Sequence, residues 1–425
     1  MKDYLNKLPK DIRNLIYSAG KIAKKTDVKA YLVGGIVRDL ILGVPNFDLD
    51  IVVEGNGLLF ASELASQFDA RLTTHPRFYT ATLITPKNIK LDIATARSER
   101  YPHPASLPVV KPGTIRDDLA RRDFTINTLA IDLLPNNFGN PVDFYQGKKD
   151  LRMKTIRILH DSSFIDDPTR IIRAVRFEQR FRFRIEPHTM RLLKQAKDTG
   201  MLKRTSPHRL RDEIILILKE PEVLRCILRL NKIVGFDFIH QKLKLNKANL
   251  AYLASIRKEI HWFNNNFPKA RVLDVWLMYF IGLLSRLNKN QLSCVLIRLG
   301  LCREDMKRII SYHKISSREI LLRLNKKNIS PSQIYRDLQP LSLEVILLIK
   351  AKYRNKIFNL NIEKFLKFYN TVRLYIQAKD LAGFGIKPGP DYKKILNQLL
   401  YLQIDGKINS KDAAFNWLKQ WSSLS

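Results

Sequence analysis

At 425 residues and 45% hydrophobic composition, the chain is long enough to bury more than one core. Its 74 Lys+Arg against 40 Asp+Glu leave a net charge of +34, which points to a polyanionic partner, nucleic acid foremost. The excess is uneven: residues 1–150 carry 21 basic against 17 acidic side chains, a net of +4, and the remainder 53 against 23, a net of +30.

Three cysteines, Cys226, Cys294 and Cys302, show neither metal nor disulfide spacing and read as reduced core residues of a cytoplasmic protein. The N-terminus lacks the apolar core of a signal peptide. The longest apolar run, Val275 to Leu284, is about half of what a membrane span needs, so no membrane partner is expected.

In chain order, residues 10–29 read as an amphipathic helix with Ile12, Leu15, Ile16, Ala19 and Ile22 on one face. The stretch YLVGGIVRDLILGVPNFDLDIVVE, residues 31–54, organises the rest. An apolar run meets Gly34-Gly35, a helix-like VRDLILG follows, and the chain turns at Val44-Pro45-Asn46 into the strand FDLDIVV. Alternation along a strand puts Asp48 and Asp50 on one face and Phe47, Leu49 and Ile51 on the other. Two carboxylates so close repel unless a cation lies between them, which makes a divalent metal their natural partner. At the junction the glycine backbone can approach phosphate oxygens, and Arg38 adds a positive charge one turn later. A phosphate cradle beside a metal-binding pair points to nucleotidyl transfer by a two-metal mechanism. Either motif alone is more often a packing turn or a solvated pair; together they favour the catalytic reading.

Residues 58–68 read as a helix, RLTTH and FYTATLIT as strands, and IKLDIATAR, after the Pro86-Lys87-Asn88 turn, as another strand carrying Asp92. Hairpin-length connections imply a mixed sheet. Asp92 is a candidate third carboxylate, an ion-paired strand aspartate being the even alternative. Residues 98–113, with four prolines, read as a long functional loop. Residues 117–130 read as a helix, and AIDLL as the opening of a final strand or hairpin. Within that helix Arg121-Arg122-Asp123 suits a triphosphate or ribose, a charged helix start being the alternative.

Past Asp143 the strand signals stop, and from about Asp161 the sequence reads as helical: 206–219, 221–232, 271–287, 291–300, 316–323, 331–350 and 361–380, then a turn from Gly385 to Pro390 feeding a further helix. In DDPTRIIRAVR (166–176), Asp167, Arg170, Arg173 and Arg176 recur every three residues, close to one helical face, with Asp167 at the cap and Pro168 in the first turn. The Asp167 carboxylate can accept from an exocyclic amine while Arg170 donates to the neighbouring ring acceptors. Such a pair matches the Watson–Crick edges of C and A and opposes those of U and G. Arg173 and Arg176 would face phosphate or RNA backbone. Arg209 and Glu213 read as a structural i,i+4 pair.

GGIVRD with FDLDIVV, RRDFTINTLAID, VDFYQGKKDL and DDPTRIIRAVRFEQRF, in this order over residues 30–215, resemble the class II tRNA nucleotidyltransferases and their bacterial poly(A) polymerase relatives. The resemblance implies an α+β fold in which a small mixed-sheet head (1–145) precedes an all-α neck (146–220), body (221–330) and tail (331–425), the last two binding RNA. It implies that Asp48 and Asp50 hold two Mg2+ ions and act, with Asp92, as the catalytic group. Gly34, Gly35, Arg38, Arg122 and Asp123 would contact the nucleotide, and Asp167, Arg170, Arg173 and Arg176 would read or flank its base. The implied reaction is template-free addition of C and A from CTP and ATP to the tRNA 3′ end. A partial CC- or A-adding enzyme or a poly(A) polymerase is the alternative within the class, and a non-catalytic RNA-binding protein the remote one. The family commonly has Glu where this chain has Asp166. The tail GIKPGPDYKKILNQL resembles segments of long bacterial forms whose extra N-terminal domains are expected to be absent here.

Overall fold

Four buried residues in a row behind a leading lysine make β1 (Lys29–Val33) a strand covered on both faces. In the computed structural model, which describes residues 2–315, 318–384, 386 and 388–424, it lies inside a seven-stranded sheet. The strands following it are β2 (Leu49–Glu54), β3 (Arg71–His75), β4 (Thr80–Ile84), β5 (Lys90–Thr95), β6 (Arg97–Arg100), β7 (Val109–Pro112), β8 (Ala130–Asp132) and β9 (Pro141–Val142). Their order in the sheet is β3-β4-β5-β2-β1-β8-β9, with β6 and β7 forming a separate hairpin. β2 and β5 run parallel and the other pairs antiparallel, the mixed sheet that short connections imply. The parallel register sets Asp50 opposite Asp92.

The helix Lys10–Lys25 buries the five apolar positions of its expected face and ends four residues earlier than the sequence pattern suggests, because β1 begins at Lys29. Other expectations are corrected. Residues 98–113 are not loop throughout: β6 and β7 take up 98–100 and 109–112 in an antiparallel ladder, and the loop is the 101–108 connection between them. The helix expected over 117–130 is the Ile115–Ala120 helix, followed by a 3-10 turn at Thr125–Asn127 and then β8. Strand structure also continues past Asp143, in a short parallel pair of Thr155–Ile156 with Arg184–Ile185.

The described chain divides into two compact units, Met1–Ile239 and His240–Ser425. The second is helical. Its longest helix, Lys247–Asn266, lies in the stretch expected to be helical but was not singled out there, because polar residues dilute its apolar period; a reciprocal Asn246/Asn249 capping box starts it. The Val275–Leu284 helix is buried from Trp276 to its end. The segment expected at 331–350 is two helices, Pro331–Leu338 and Leu343–Lys352, since Pro340 offers no N–H to continue the first and Ser342 caps the second. The Lys356–Lys367 helix stops well short of residue 380. Residues 316–317 of an expected helix, and Gly385 and Lys387 of the expected turn, lie outside the described residues.

Of the cysteines only Cys226 is a core residue. Cys294 and Cys302 are exposed, Cys294 because it lies off the Leu292, Val295, Leu296 and Leu299 stripe of its helix. Among the described residues no helix is long and apolar enough to cross a membrane.

Candidate active site

A cavity of about 1060 Å³ in the first unit is lined by every catalytic and nucleotide-binding candidate of the sequence: Asp48, Asp50 and Asp92; Gly34, Gly35 and Arg38; Arg122 and Asp123; and Asp167, Arg170, Arg173 and Arg176. Asp50 and Asp92 come from the sheet, with Asp48 just before β2, and Arg170, Arg173 and Arg176 come from one helix, so the cavity has an acidic wall and an arginine-lined one.

On the acidic wall Asp48 lies one residue before β2, exposed, and Asp50 on the strand itself. Phe47 is also exposed, since the strand alternation does not reach that far back. Burial and then the neighbouring Asp48 push the Asp50 carboxyl up to about 6. A charge that two neighbours and burial disfavour is one a cation would restore. Asp92 stands beside Asp50 but is engaged, accepting from Thr82 Oγ1 at 2.6 Å and from Lys90 Nζ at 2.5 Å. Among the described residues no group of three or more His, Cys, Asp or Glu side chains is placed to hold a metal ion. A carboxylate pair with its remaining ligand positions open suits Mg2+, which keeps water and substrate phosphate oxygens in its shell.

Gly34 adopts φ +74°, and a Cβ there would lie 2.6 Å from Arg122 Nη1, so this position serves both the left-handed turn and the guanidinium above it. Its N–H is spent on the Leu129 carbonyl at 3.1 Å. Arg38 is buried and paired, donating to both Asp39 oxygens at 2.7 and 2.9 Å and to Asn127 Oδ1 at 2.5 Å, with Phe181 4.6 Å away over its guanidinium. Asn46 continues this network, donating to Asp39 at 2.7 Å while its carbonyl accepts the Asp48 N–H at 2.9 Å.

The basic wall is the Thr169–Phe181 helix. Asp167 precedes it by two residues and accepts from the Thr169 N–H and hydroxyl at 3.1 and 2.6 Å, so it caps from one position further out than the sequence pattern suggests. Arg170 donates to Ser163 Oγ at 2.6 Å and to the Arg121 carbonyl at 2.7 Å, and its Nε lies 4.0 Å from Asp167. Asp166 lies 3.9 Å from His160. Arg173 donates to Asp123 at 2.6 and 2.9 Å and to Glu213 at 2.9 Å. Burial would raise Asp123, but Arg173 and the Asn127 amide hold its carboxyl at about 2. Arg176 meets Glu213 at 3.3 Å, and burial lowers its pKa.

Arg209 and Glu213 are therefore not partners of each other. Arg209 binds Asp167 at 2.6 Å, and Glu213 binds Arg173 and Arg176. The sequence reading also missed Glu99 and Tyr101, which the β6–β7 hairpin brings to the cavity, Tyr101 donating to Glu99 at 3.3 Å. Nothing local marked them, because prolines obscured the hairpin.

Among the described residues Arg122 Nε, Arg176 Nε and Arg209 Nη1 are buried donors without a hydrogen-bond partner, and all three side chains line this cavity. An unmade buried hydrogen bond costs about 1–3 kcal/mol, so these donors mark where a ligand's acceptors belong.

A mixed sheet presenting paired carboxylates to an arginine-lined cavity is a nucleotidyltransferase head. The family described as Poly A polymerase head domain matches residues 30–157, and that described as Probable RNA and SrmB- binding site of polymerase A matches residues 182–239. An A-adding tRNA nucleotidyltransferase of Geobacter sulfurreducens is 36% identical over 413 residues, 95% of this chain and 46% of that protein. Another, of Halalkalibacterium halodurans, is 31% identical over 423 residues, 97% of this chain and 93% of that one. A solved CCA-adding enzyme, apo form II, matches with TM-score 0.79 at 35% identity, covering 99% of this chain and 98% of that one. Relatives named CC-adding and CCA-adding also match. The chain belongs to the tRNA nucleotidyltransferase and poly(A) polymerase family. It spans less than half the length of the Geobacter relative and nearly all of the Halalkalibacterium one.

Proposed function

We propose that the protein adds C and A nucleotides, taken from CTP and ATP, to the 3′ end of tRNA without a nucleic-acid template. The observation that carries this reading is the single cavity in which Asp48 and Asp50 face three unpartnered arginine donors and the Asp167–Arg170 pair. Solved structures of similar CCA-adding enzymes include complexes with tRNA, ATP and CTP.

In this reading the tRNA 3′-hydroxyl attacks the α-phosphate, a P–O bond forms, and pyrophosphate leaves with the electron pair of the broken bond. Asp48 and Asp50 would hold Mg2+, which when bound offsets charge on the transferring phosphate and favours the deprotonated hydroxyl. Arg122 and Arg176 donate to the triphosphate. Asp167 accepts the amino group of C or A on lone pairs that Thr169 and Arg209 leave open, and Arg170 or the spare Arg209 donor serves the ring acceptor. Residues 1–145 act as head, 146–220 as neck, and 221–330 and 331–425 as RNA-binding body and tail. From residue 240 onward 33 basic side chains face 12 acidic ones, in keeping with that role.

A second reading, addition of the terminal A alone, has support in the A-adding names of the Geobacter and Halalkalibacterium relatives. Purified protein offered tRNAs ending at the discriminator base, at C and at CC, with one nucleotide at a time, separates the two. Full addition uses CTP on the first two ends and ATP on the third. A-only addition uses ATP on the third alone. No addition to any end would refute both.

Asp167→Ala is expected to narrow the gap between CTP and UTP by about 1–3 kcal/mol, roughly 10- to 100-fold, because a carboxylate repels the carbonyl that U presents. Single-turnover addition of each nucleotide reads this out; equal slowing of all four would leave Asp167 a helix cap. Asn46→Ala should raise the Mg2+ concentration for half-maximal rate by about 10-fold, since Asn46 fixes the backbone of Asp48. An unchanged magnesium titration would show that Asp48 needs no such support.

A further inference from the structure

A second cavity, of about 640 Å³, lies in the His240–Ser425 unit. The first turns of the Lys247–Asn266 helix form one side, and the C-terminal ends of the Val275–Leu284 and Leu343–Lys352 helices form the other. Small side chains, Ala248, Ala251 and Ala351, keep it open. Its charges are of one sign: Arg286, Lys352 and Arg354 line it, and no Asp or Glu does. The carboxylates on these helices are engaged elsewhere, Glu259 with Lys350 at 2.6 Å and Glu344 with Arg271 at 2.7 Å.

Each of the three cations is aimed by a neutral partner. Arg354 donates to Ser255 Oγ at 2.9 Å, Arg286 to Asn249 Oδ1 at 3.5 Å, and Lys352 lies 5.6 Å from the Tyr312 ring centroid. Such contacts orient a positive group without cancelling its charge. Helix C-terminal dipoles favour a cation nearby, which accounts for one charge at each helix end. They do not account for three cations around one concavity, where mutual repulsion rises with every charge added. An anion at the centre turns that repulsion into attraction.

We infer that this pocket grips a phosphodiester of the tRNA backbone, an anchoring point formed wholly by the second unit. The inference rests on tRNA being the substrate. Free phosphate and nucleotides share the same chemistry, so the test must separate them from RNA.

The test uses the full chain with Arg286→Gln, Lys352→Gln and Arg354→Gln, singly and together. All three side chains are exposed, so the fold should hold, with an unchanged melting curve as the check. The triple variant should bind tRNA several-fold more weakly at physiological salt. Its log affinity should fall less steeply with log salt, by roughly 1 to 2 in slope, as expected when one or two phosphate contacts are lost. Each single variant should account for part of the loss. The addition rate at saturating tRNA, and the affinity for ATP alone, should match the wild type. A triple variant with wild-type affinity and slope, while the wild type binds and extends tRNA, would overturn the pocket but not the proposed function. Loss of ATP binding with tRNA affinity unchanged would also overturn it. A wild-type chain that neither binds nor extends tRNA would overturn both.

Discussion

Replacing Asp48 or Asp50 by alanine should lower nucleotide addition by about a thousand-fold or more while leaving tRNA affinity within a few-fold. As the proposed ligands of a cation at the transferring phosphate, the two would supply several kcal/mol of charge stabilisation, and each 1.36 kcal/mol is about tenfold in rate. The two substitutions should not destabilise the fold. Asp50 is pushed up to about 6 by burial and by Asp48, so its charged form opposes folding and its removal relieves that cost. The melting temperature of Asp50→Ala is therefore expected to equal or exceed that of the parent, so an inactive variant cannot be put down to unfolding. Single-turnover kinetics beside thermal melting checks both halves. A tRNA affinity that fell as far as the rate would make these residues RNA contacts instead of metal ligands.

Arg173→Ala should have the opposite signature, a loss of stability of about 3–5 kcal/mol. Its guanidinium is committed to Asp123 and Glu213, and removing it strands the Asp123 carboxylate in a buried site. Asp123 is held at about 2 by burial opposed and outweighed by Arg173 and Asn127. A depressed folded-state pKa means that the pair's stabilisation is complete above the ordinary carboxylate range near 4 and is lost as pH falls toward 2. Without Arg173 burial pushes Asp123 up, so the variant's deficit against the parent should be largest near neutral pH and shrink as pH falls and Asp123 protonates. Denaturant unfolding of parent and variant between pH 3 and 7 measures it. A variant that melted like the parent and lost only nucleotide affinity would return Arg173 to the phosphate contact that its helical spacing suggests.

Arg173 also shows where the sequence stops being legible. Spacing by three places Asp167, Arg170, Arg173 and Arg176 on one helix, and alternation pairs Asp48 with Asp50, because both depend only on local geometry. Partners fixed by tertiary packing leave no such trace. Glu213 sits four residues from Arg209 and looks like its mate, yet the Pro207–Leu218 helix offers Glu213 to Arg173 and Arg176 while Arg209 reaches Asp167. Arg38 reads as a free positive charge until Asp39 and Asn127 are seen to hold it. The same limit applies to the fold. Apolar runs gave away the sheet strands, whereas β6 and β7, rich in charge and proline, were recognisable only once paired. The Lys247–Asn266 helix, polar over much of its length, gains its burial from neighbours far along the chain.

In the proposed reaction one cavity of this protein carries out both the chemistry and the choice of base. The most direct test is single-turnover addition, by the wild-type chain, of each of the four nucleotides separately to a tRNA ending in CC, with Mg2+ and with EDTA. ATP should be added in Mg2+, GTP and UTP should be slower by at least about 10-fold, and EDTA should stop all addition. Addition of all four nucleotides at like rates, or addition of ATP that persists in EDTA, would contradict that reaction.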